Sequence, residues 1–374
     1  MRRLLLLLLL ALVAACGPRV EEGPAPTPQE EPPQPQPPRV PVGLKREWNE
    51  IRTGGDTVCA RGTPYSFFVH PGTTNKVVID FMGGGACWTQ DSCGFAGALF
   101  DDSVDTLRDR VKDGFPGVYD RSKPQNPFKD WFHVVIPYCT GDIHWGDSVQ
   151  TYGEGEAAIT IRHKGAVNAR AVLDWVYAQF DAPERILVTG CSAGSYGSIM
   201  WAPHIKRHYP KAVVRQFGDS GAGVVTSDFF RDSFPRWDAT RAAPAFIPTL
   251  DPATTDWQSL ALPDLYARIG AFYPELRLSQ FNTAYDETQV FFYKAMGGGT
   301  AQEWSKAMLA SIDRIHETTP SFRSYIGPGK QHCVLPDDNY ATFESNGVKF
   351  LDWLERLLNE DEHADVRCVD CGQP

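Results

Sequence analysis

A serine flanked by glycines is the first sign of chemistry in this sequence. In VTGCSAGSYGS, residues 188–198, Ser192 follows Gly190 by two residues and precedes Gly194 by two, directly after a short apolar run. Small flanking residues let a strand turn sharply into a helix with the serine at the apex, facing the amides of that helix. We interpret Ser192 as a nucleophile; the alternative is a glycine-rich turn with a surface serine.

A serine nucleophile needs a histidine base, and the order serine, acid, histidine of hydrolase sheets leaves five histidines to consider. His204 and His208 lie on the helix predicted to leave the serine, and His316 precedes the last predicted strand. His363 lies in an acidic tail that we expect to be solvated. His332, in the loop GPGKQHCVLP after that strand, is the predicted base; the alternative is a surface loop histidine.

Two aspartates compete for the role of the acid that orients the histidine. Asp286 in FNTAYDETQ comes late enough to follow a strand beyond the serine, and we favour it. Asp219 in FGDSGAG ends the strand that comes next after the serine, which is also a position from which hydrolases draw an acid. Otherwise Asp219 holds the floor of the cleft through backbone amides or lines the substrate pocket.

The oxyanion formed on attack needs preorganised donors, and backbone amides are the usual ones. FMGGGACW places three glycines after a strand, where the main chain can approach a substrate closely. We assign the oxyanion hole to the amides of Gly84, Gly85 and Ala193. The alternative is an ordinary tight turn.

Alternating strands and helices must position these residues. Buried strands are predicted at Val77–Phe81, Phe132–Pro137 and Ile186–Thr189. Between Gly153 and Phe180, apolar residues that include Ile161 recur at helical spacing, which predicts one long helix. Strand, helix, strand indicates an α/β fold with a mostly parallel sheet flanked by helices.

The remainder of the chain continues this pattern around one insertion. A helix is predicted from Ala193, followed by a strand in AVVRQFGDSGAG. Residues 226–280 are rich in aromatic residues and proline, and we interpret them as a cap over the carboxyl edge of the sheet. A helix after Asp286, a strand near Phe322–Ile326 and an amphipathic helix over Val348–Leu358 complete the prediction.

The N-terminus resembles an export signal. Arg2 and Arg3 precede an apolar run that ends in VAAC, too short to cross a bilayer as a helix but typical of a secretory signal. We predict a signal peptide over residues 1–15 and lipidation of Cys16, as in bacterial lipoproteins; the alternative is a plain signal peptide cut nearby. Lipid on this cysteine would anchor an exported protein in the cell-envelope membrane.

Proline, glutamate and glutamine dominate the sequence from here to residue 41, with little apolar surface to bury. This composition is typical of a solvated, polyproline-like tether. We therefore place a linker at residues 16–42 and a single folded domain at residues 43–374.

Cysteine usage agrees with export. Eight cysteines remain if the first carries lipid, enough for four disulfides in an oxidising compartment. Cys87 and Cys93 could close one loop, whereas Cys368 and Cys371 could pair together or enter separate bridges; the connectivity otherwise stays open. Scattered single cysteines disfavour a zinc site, and we expect no metal or cofactor. The four cysteines for which no partner is suggested are Cys59, Cys139, Cys191 and Cys333.

The net charge of −10 disfavours some partners. Binding of nucleic acid needs clustered lysine and arginine to neutralise phosphates, so we expect no nucleic-acid partner. A strongly anionic polymer is also disfavoured as a substrate unless the cleft is locally basic.

Several blocks of the chain resemble the pectin acetylesterase and Notum family. GGGAC, YCTGDIHWGD, GCSAGSYGS, FGDSGAG, NTAYDETQ and QHC occur in the family's order and rough spacing, over residues 53–349. The resemblance implies an α/β-hydrolase fold and hydrolysis of small acyl esters without a cofactor. It assigns a triad of Ser192, Asp286 and His332 and an oxyanion hole of Gly84, Gly85 and Ala193.

Two departures from the family's pattern concern the substrate pocket. Plant members usually carry a tryptophan after the third glycine, where this chain has Ala86 and then Trp88 beyond the cysteine. The block DIHWGD replaces small polar residues, so His144 and Trp145 are candidates for the pocket; buried aromatic packing is the alternative. A metal pair of Asp142 and His144 is disfavoured.

Together these features predict an exported, lipid-anchored serine esterase. Acetyl groups on a polysaccharide are the favoured substrate, and the acidic chain fits a neutral glycan at least as well as pectin. Two alternatives stay open. One is a lipase-like esterase for longer acyl chains, with residues 226–280 as its lid, and the other is a surface binding protein on a hydrolase scaffold without turnover.

Overall fold

The computed structural model describes residues 41, 43–94, 99–360 and 364–374. The predicted signal peptide, the lipidated Cys16, nearly all of the linker and His363 lie outside the described residues. No helix in the described ranges is both long and apolar enough to cross a membrane.

Strands and helices alternate along most of the described chain. The strands are β1 Asn49–Arg52, β2 Ser66–His70, β3 Lys76–Phe81, β4 Phe132–Ile136, β5 Ser148–Tyr152, β6 Ile159–His163, β7 Arg185–Cys191, β8 Val213–Asp219, β9 Leu278–Thr283, β10 Phe322–Gly327, β11 Glu344–Ser345, β12 Val348–Lys349 and β13 Val366–Arg367. The helices are α1 Gln90–Gly94, α2 Asp105–Asp113, α3 Gly165–Gln179, α4 Ala193–His208, α5 Ser227–Trp237, α6 Leu262–Phe272, α7 Glu287–Ala295, α8 Ala301–Thr318 and α9 Phe350–Asn359.

A nine-stranded sheet forms the centre of the described structure, in the order β1-β2-β4-β3-β7-β8-β9-β10-β13. From β4 to β13 every neighbouring pair is parallel, whereas β1 and β2 pair antiparallel at one edge. The predicted mostly parallel α/β sheet is therefore confirmed. Its parallel strands place their carboxyl ends, and the residues after them, along one edge.

Both faces of the sheet are buried, which explains the nearly continuous apolar runs of its strands. In β3, Val77, Ile79 and Phe81 face one apolar core, whereas Val78 faces the other. Helices α3 and α4 cover the first face and α9 covers the second. The strands at the carboxyl edge are thus held rigidly from both sides.

The prediction of one long helix between Gly153 and Phe180 is wrong in its first part. Residues 148–163 form the antiparallel pair β5 and β6, and α3 begins only at Gly165. Ile161 lies in β6 opposite Gln150 and is fully buried. The β-branched residues of ITIRH favour a strand, and its apolar positions fit strand alternation as well as helical spacing.

The predicted cap differs from the structure at its end. Residues 226–277 contain α5, short 3₁₀ turns and α6, but Ser279 and Gln280 already belong to β9 of the central sheet. The amphipathic helix also begins later than predicted, at Phe350, because residues 348–349 pair with β11 as a short hairpin.

Four disulfides form among the described residues. The predicted Cys87–Cys93 loop is confirmed, and the open question at Cys368 is answered by a bond to Cys371. Four bridges agree with an exported protein that folds in an oxidising compartment. The remaining two disulfides join Cys59 to Cys139 and Cys191 to Cys333.

Candidate active site

Ser192 lies at the sharp turn between β7 and α4. Its backbone has φ 57° and ψ −120°, a conformation that non-glycine residues rarely adopt. Such a conformation costs about 1–3 kcal/mol, and it persists because the amide of Ser192 donates a 2.8 Å hydrogen bond to the carbonyl oxygen of Asp219. This is the strand-turn-helix geometry that the motif predicts.

The two glycines of the motif are required by close packing. A Cβ atom at Gly194 would lie 1.7 Å from the carbonyl oxygen of Phe81, and one at Gly190 would lie 2.4 Å from the carbonyl oxygen of Gly194. Neither backbone can move away, because both belong to packed elements. Glycine at these positions therefore lets α4 begin directly against β3.

Asp286 lies after β9 and caps the N-terminus of α7. Its fully buried carboxylate accepts hydrogen bonds from the amides of Thr288 at 3.1 Å and Gln289 at 2.9 Å. Nδ1 of His332 donates to the same carboxylate, 2.9 Å from Oδ1 and 2.8 Å from Oδ2. Because an ionised carboxylate can only accept, the proton of neutral His332 belongs on Nδ1 and the lone pair on Nε2.

The second nitrogen of His332 is free of hydrogen bonds within the described part of the chain. Nε2 is buried without a hydrogen bond to any described residue, and His332 lines the same cavity as Ser192. Burial alone would lower the pKa of His332, but the charge of Asp286 and its hydrogen bond raise the pKa above the ordinary value of 6.5. The arrangement can therefore accept a proton inside the cavity and stabilise the cation that results.

Asp219 does not line the cavity, so its assignment as a pocket residue is wrong. It is fully buried, and its carboxylate accepts hydrogen bonds from the amides of Val334 and Leu335 at 2.9–3.0 Å. Burial raises the pKa of Asp219 to about 7. The structure thus places this carboxylate behind the histidine loop rather than beside a substrate.

The glycine loop after β3 passes directly beside the serine. A Cβ atom built on Gly83 would lie 2.9 Å from Cβ of Ser192. Gly85 has φ 78°, and a Cβ atom there would lie 1.8 Å from the carbonyl oxygen of Leu99. The loop therefore needs glycine both for its backbone conformation and for its close packing.

Three amides at this place remain available as donors. The amides of Gly84, Gly85 and Ala193 donate to no other described residue, whereas the next amide, that of Ala86, bonds to the carbonyl oxygen of Leu99 at 3.1 Å. Gly85 and Ala193 line the cavity together with Ser192. Free amides beside a serine can bind an oxygen that gains negative charge.

The cavity itself is apolar and has a volume of about 120 Å³. Trp88 and Trp145 line it, as the sequence predicts. His144 does not, because its side chain is buried with Nε2 2.8 Å from the carbonyl oxygen of Met82 and its ring packed edge-on against Phe81.

The sequence did not identify most of the apolar lining. The weak periodicity of residues 226–260 hid the fact that α5 and the turns after it face the serine. These lining residues include Phe229, Phe230, Phe234, Trp237, Trp257 and Leu260.

Metal binding has little support among the described residues. The two groups of close donor atoms each contain both sulfurs of a disulfide, Cys87–Cys93 beside His163 and Cys191–Cys333 beside His332. A disulfide offers no thiolate, so each group retains only one imidazole ligand. Asp142 and His144 do not form such a group.

Comparison with known families agrees with the site. The pectinacetylesterase family model matches residues 50–246, more than half of the 374 residues. The chain belongs to the pectinacetylesterase family. This match contains Ser192 and the glycine loop but ends before Asp286 and His332.

Proteins of similar sequence include pectin acetylesterases of Arabidopsis thaliana. Pectin acetylesterase 4 is 28% identical over 169 residues, which cover 44% of this chain and 40% of that protein. Pectin acetylesterase 5 is 29% identical over 185 residues, covering 48% of this chain and 42% of that protein. The chain thus spans less than half the length of these relatives.

Solved structures extend the likeness of fold to most of the chain. The Wnt deacylase Notum from Drosophila, in one crystal form, superposes with a TM-score of 0.63 at 18% identity, covering 87% of this chain and 97% of that one. A second crystal form gives a TM-score of 0.57 at 17% identity, covering 87% and 96%. The predicted α/β-hydrolase fold is confirmed.

Proposed function

We propose that this chain is a serine carboxylesterase with Ser192 as nucleophile, His332 as general base and Asp286 as the acid that orients it. One observation carries the proposal: His332 lines the same cavity as Ser192 and is fixed to Asp286 through Nδ1, while its buried Nε2 bonds to none of the described residues. Ser192 and this nitrogen line one cavity without a hydrogen bond between them, and acyl transfer needs such a serine and base to come within hydrogen-bond reach.

The reaction proceeds through an acyl-enzyme. Oγ of Ser192 attacks the ester carbonyl while Nε2 of His332 takes its proton, and Asp286 stabilises the imidazolium that forms. The tetrahedral intermediate collapses and expels the alcohol, which receives the proton from His332. Water, deprotonated by the same nitrogen, then attacks the acyl-enzyme. The bond to Oγ breaks, the carboxylic acid leaves, and His332 returns the proton to Ser192.

The free amides of Gly84, Gly85 and Ala193 form the oxyanion hole in this proposal. Their support is the absence of other acceptors among the described residues and the contact of the glycine loop with the serine. Such donors typically contribute about 3–4 kcal/mol each to stabilising the transition state.

The acyl group has two candidates. Acetyl is supported by the names of the relatives, which are pectin acetylesterases. The alcohol would then be a polysaccharide, and a net charge of −10 fits a neutral glycan at least as well as pectin.

A longer acyl chain is the second candidate, and the cavity favours it. Two aromatic side chains of the 226–280 segment, Phe230 and Phe234, and Trp145 face the serine, and the cavity of about 120 Å³ exceeds what the methyl group of an acetyl ester fills. Each methylene that a substrate buries against such an apolar lining makes the free energy of binding more favourable.

Hydrolysis of p-nitrophenyl acetate, butyrate and octanoate by the protein tests the function and the acyl length together. We expect kcat/KM for butyrate to exceed that for acetate about 10-fold, because two further methylenes enter the cavity at about 0.8 kcal/mol each. Acetate as the best substrate would instead support the acetyl candidate. If the folded protein hydrolyses all three esters only at the background rate and is not labelled by a fluorophosphonate, the result supports the alternative of a binding protein without turnover.

The pH dependence of hydrolysis follows from the raised pKa of His332. The base must be neutral to accept a proton, so kcat/KM falls as the pH is lowered through that pKa. Since Asp286 raises the pKa, we expect the midpoint of this acid limb above 6.5. A profile of kcat/KM between about pH 5 and about pH 9 measures it; a midpoint well below 6.5 would contradict the ion pair.

A further inference from the structure

A disulfide joins the immediate neighbours of the proposed nucleophile and base. Cys191 directly precedes Ser192, Cys333 directly follows His332, and the two cysteines are bonded with their Cα atoms 5.7 Å apart. The serine turn and the histidine loop are 140 residues apart in sequence, yet their backbones are covalently linked one residue from each reacting side chain. Movement of one relative to the other is therefore restricted.

Asp219 ties the same two segments a second time. Its carbonyl oxygen accepts the amide of Ser192 at 2.8 Å, which fixes the turn. Its carboxylate accepts the amides of Val334 and Leu335 at 2.9–3.0 Å, which fixes the chain just beyond the base. Asp219 thus joins the serine turn through its main chain to the histidine loop through its side chain.

Ser220 extends this connection by one residue. Its hydroxyl accepts the amide of Cys333 at 2.9 Å, and its own amide donates to the carbonyl oxygen of Phe281 in β9 at 2.8 Å. Cys333 and Ser220 both have positive φ, 57° and 60°, so these contacts hold backbone conformations that would otherwise be unfavourable.

The other side of the histidine loop is fixed to the acid instead. The amide of Glu287, next to Asp286, donates to the carbonyl oxygen of Lys330 at 3.1 Å, and the hydroxyl of Thr283 donates to that of Gln331 at 2.7 Å. The loop is thus anchored to the acid before His332 and to the nucleophile after it. The contacts after it join the residues that follow His332 to the serine turn and to β8.

We propose that Asp219 and the Cys191–Cys333 disulfide are positioning residues that set the distance between His332 and Ser192. The proposal rests on the proposed function, because it concerns the geometry of that triad. A misplacement of about 1 Å at such a pair lowers the rate by about 100-fold, so a buried clamp at this place has a catalytic effect beyond stability.

The charge of Asp219 gives the proposal a second readout. The carboxylates that face His332 are Asp286, Asp219 and Glu287, and each raises the pKa of His332 against the effect of burial. Asp219 in turn faces His332, Asp286 and the hydroxyl of buried Tyr119. Because the pKa of Asp219 is about 7, its carboxylate is ionised in the upper part of the pH range over which His332 titrates, and there its charge favours the imidazolium. Removing that charge therefore lowers the pKa of His332.

Asp219→Asn tests the electrostatic and geometric parts together. We expect kcat for p-nitrophenyl butyrate to fall about 10- to 100-fold with KM within about twofold, and the acid limb of kcat/KM to move to lower pH. Asp142→Asn is the matched control, since Asp142 is also fully buried and its carboxylate accepts the amide of Gly165 at 2.8 Å. The control should lose stability and keep the position of the acid limb.

An Asp219→Asn protein that keeps its kcat and its acid limb, or that changes only its melting temperature as the control does, would overturn the proposal. Failure of the proposed function gives a different result, because the unmodified protein then hydrolyses no ester at all. The two failures are distinguished by the same set of assays.

Removal of the disulfide tests the covalent part. We expect Cys191→Ala/Cys333→Ala to lower kcat about 10-fold or more at a temperature where it is fully folded. Cys59→Ala/Cys139→Ala removes a buried disulfide elsewhere in the chain as the control and should lower the melting temperature with little change in kcat. Equal kcat in both double variants would contradict the disulfide's role; if the first does not fold, Asp219→Asn alone decides.

Discussion

Replacing Ser192 by alanine is expected to lower kcat for ester hydrolysis on the order of 10⁴- to 10⁶-fold, the largest effect that the site predicts. The reason is that this side chain supplies the oxygen that attacks the ester carbonyl. The measurement is hydrolysis of p-nitrophenyl butyrate by both proteins, with thermal unfolding as a check that the variant folds.

A second serine of the same helix provides the control. Ser198 is fully buried in α4, and its hydroxyl donates to the carbonyl oxygen of Ser195 and accepts from the side chain of Gln216, both at 2.8 Å. Ser198→Ala should lose stability by about 1 kcal/mol and keep its activity. Substantial turnover by Ser192→Ala, above that of heat-inactivated protein, would show that the nucleophile lies elsewhere.

A fluorophosphonate separates the esterase from the binding protein independently of the substrate. Attack on phosphorus needs the activated hydroxyl but no acyl pocket, so the label should appear on Ser192 even if the assayed esters are poor substrates. The label should be absent from Ser192→Ala. A folded protein that reacts with neither the fluorophosphonate nor the p-nitrophenyl esters would favour a binding protein on a hydrolase scaffold that has lost turnover.

The sequence predicted those parts of the structure that depend on neighbours along the chain. The strand-turn-helix around Ser192 follows from small residues at fixed offsets, and the mostly parallel sheet follows from apolar runs such as Val77–Phe81 alternating with helices. Both patterns are local. The turn at Ser192 needs the small glycines beside it, and the buried strands favour β-branched residues.

The predictions were wrong where contacts between distant parts of the chain determine the surroundings of a side chain. His144 has the residue type of a pocket ligand, but its partner is the carbonyl oxygen of Met82, 62 residues away. Asp219 ends β8 and Asp286 lies shortly after β9, and only the folded chain shows that Asp286 contacts the imidazole while Asp219 contacts backbone amides. No periodicity in the sequence contains that information.

Asp286→Asn is the second change with a very large expected effect, a fall in kcat of about 10⁴-fold. The carboxylate accepts from four donors: His332 Nδ1, the amides of Thr288 and Gln289, and Nε2 of Gln289. An asparagine nitrogen can accept none of them, so either the helix cap or the histidine contact is lost. The helix amides bond Oδ1, so an asparagine that keeps the cap places its NH2 at the position of Oδ2, where it faces Nδ1 of His332. Nε2 then carries the proton in the neutral ring and cannot serve as the base.

The activities of the Asp286 and Asp219 variants decide between the two candidate acids. Asp337→Asn is a control for the loss of a helix-capping carboxylate, because Asp337 accepts the amide of Asn339 at 2.9 Å and is exposed. If Asp286 is the acid, kcat falls about 10⁴-fold in Asp286→Asn and about 10- to 100-fold in Asp219→Asn. The kcat of the control stays near that of the unmodified protein. A reversal of the first two would show that Asp219 orients the base and that the 2.8 Å contact to Asp286 is structural.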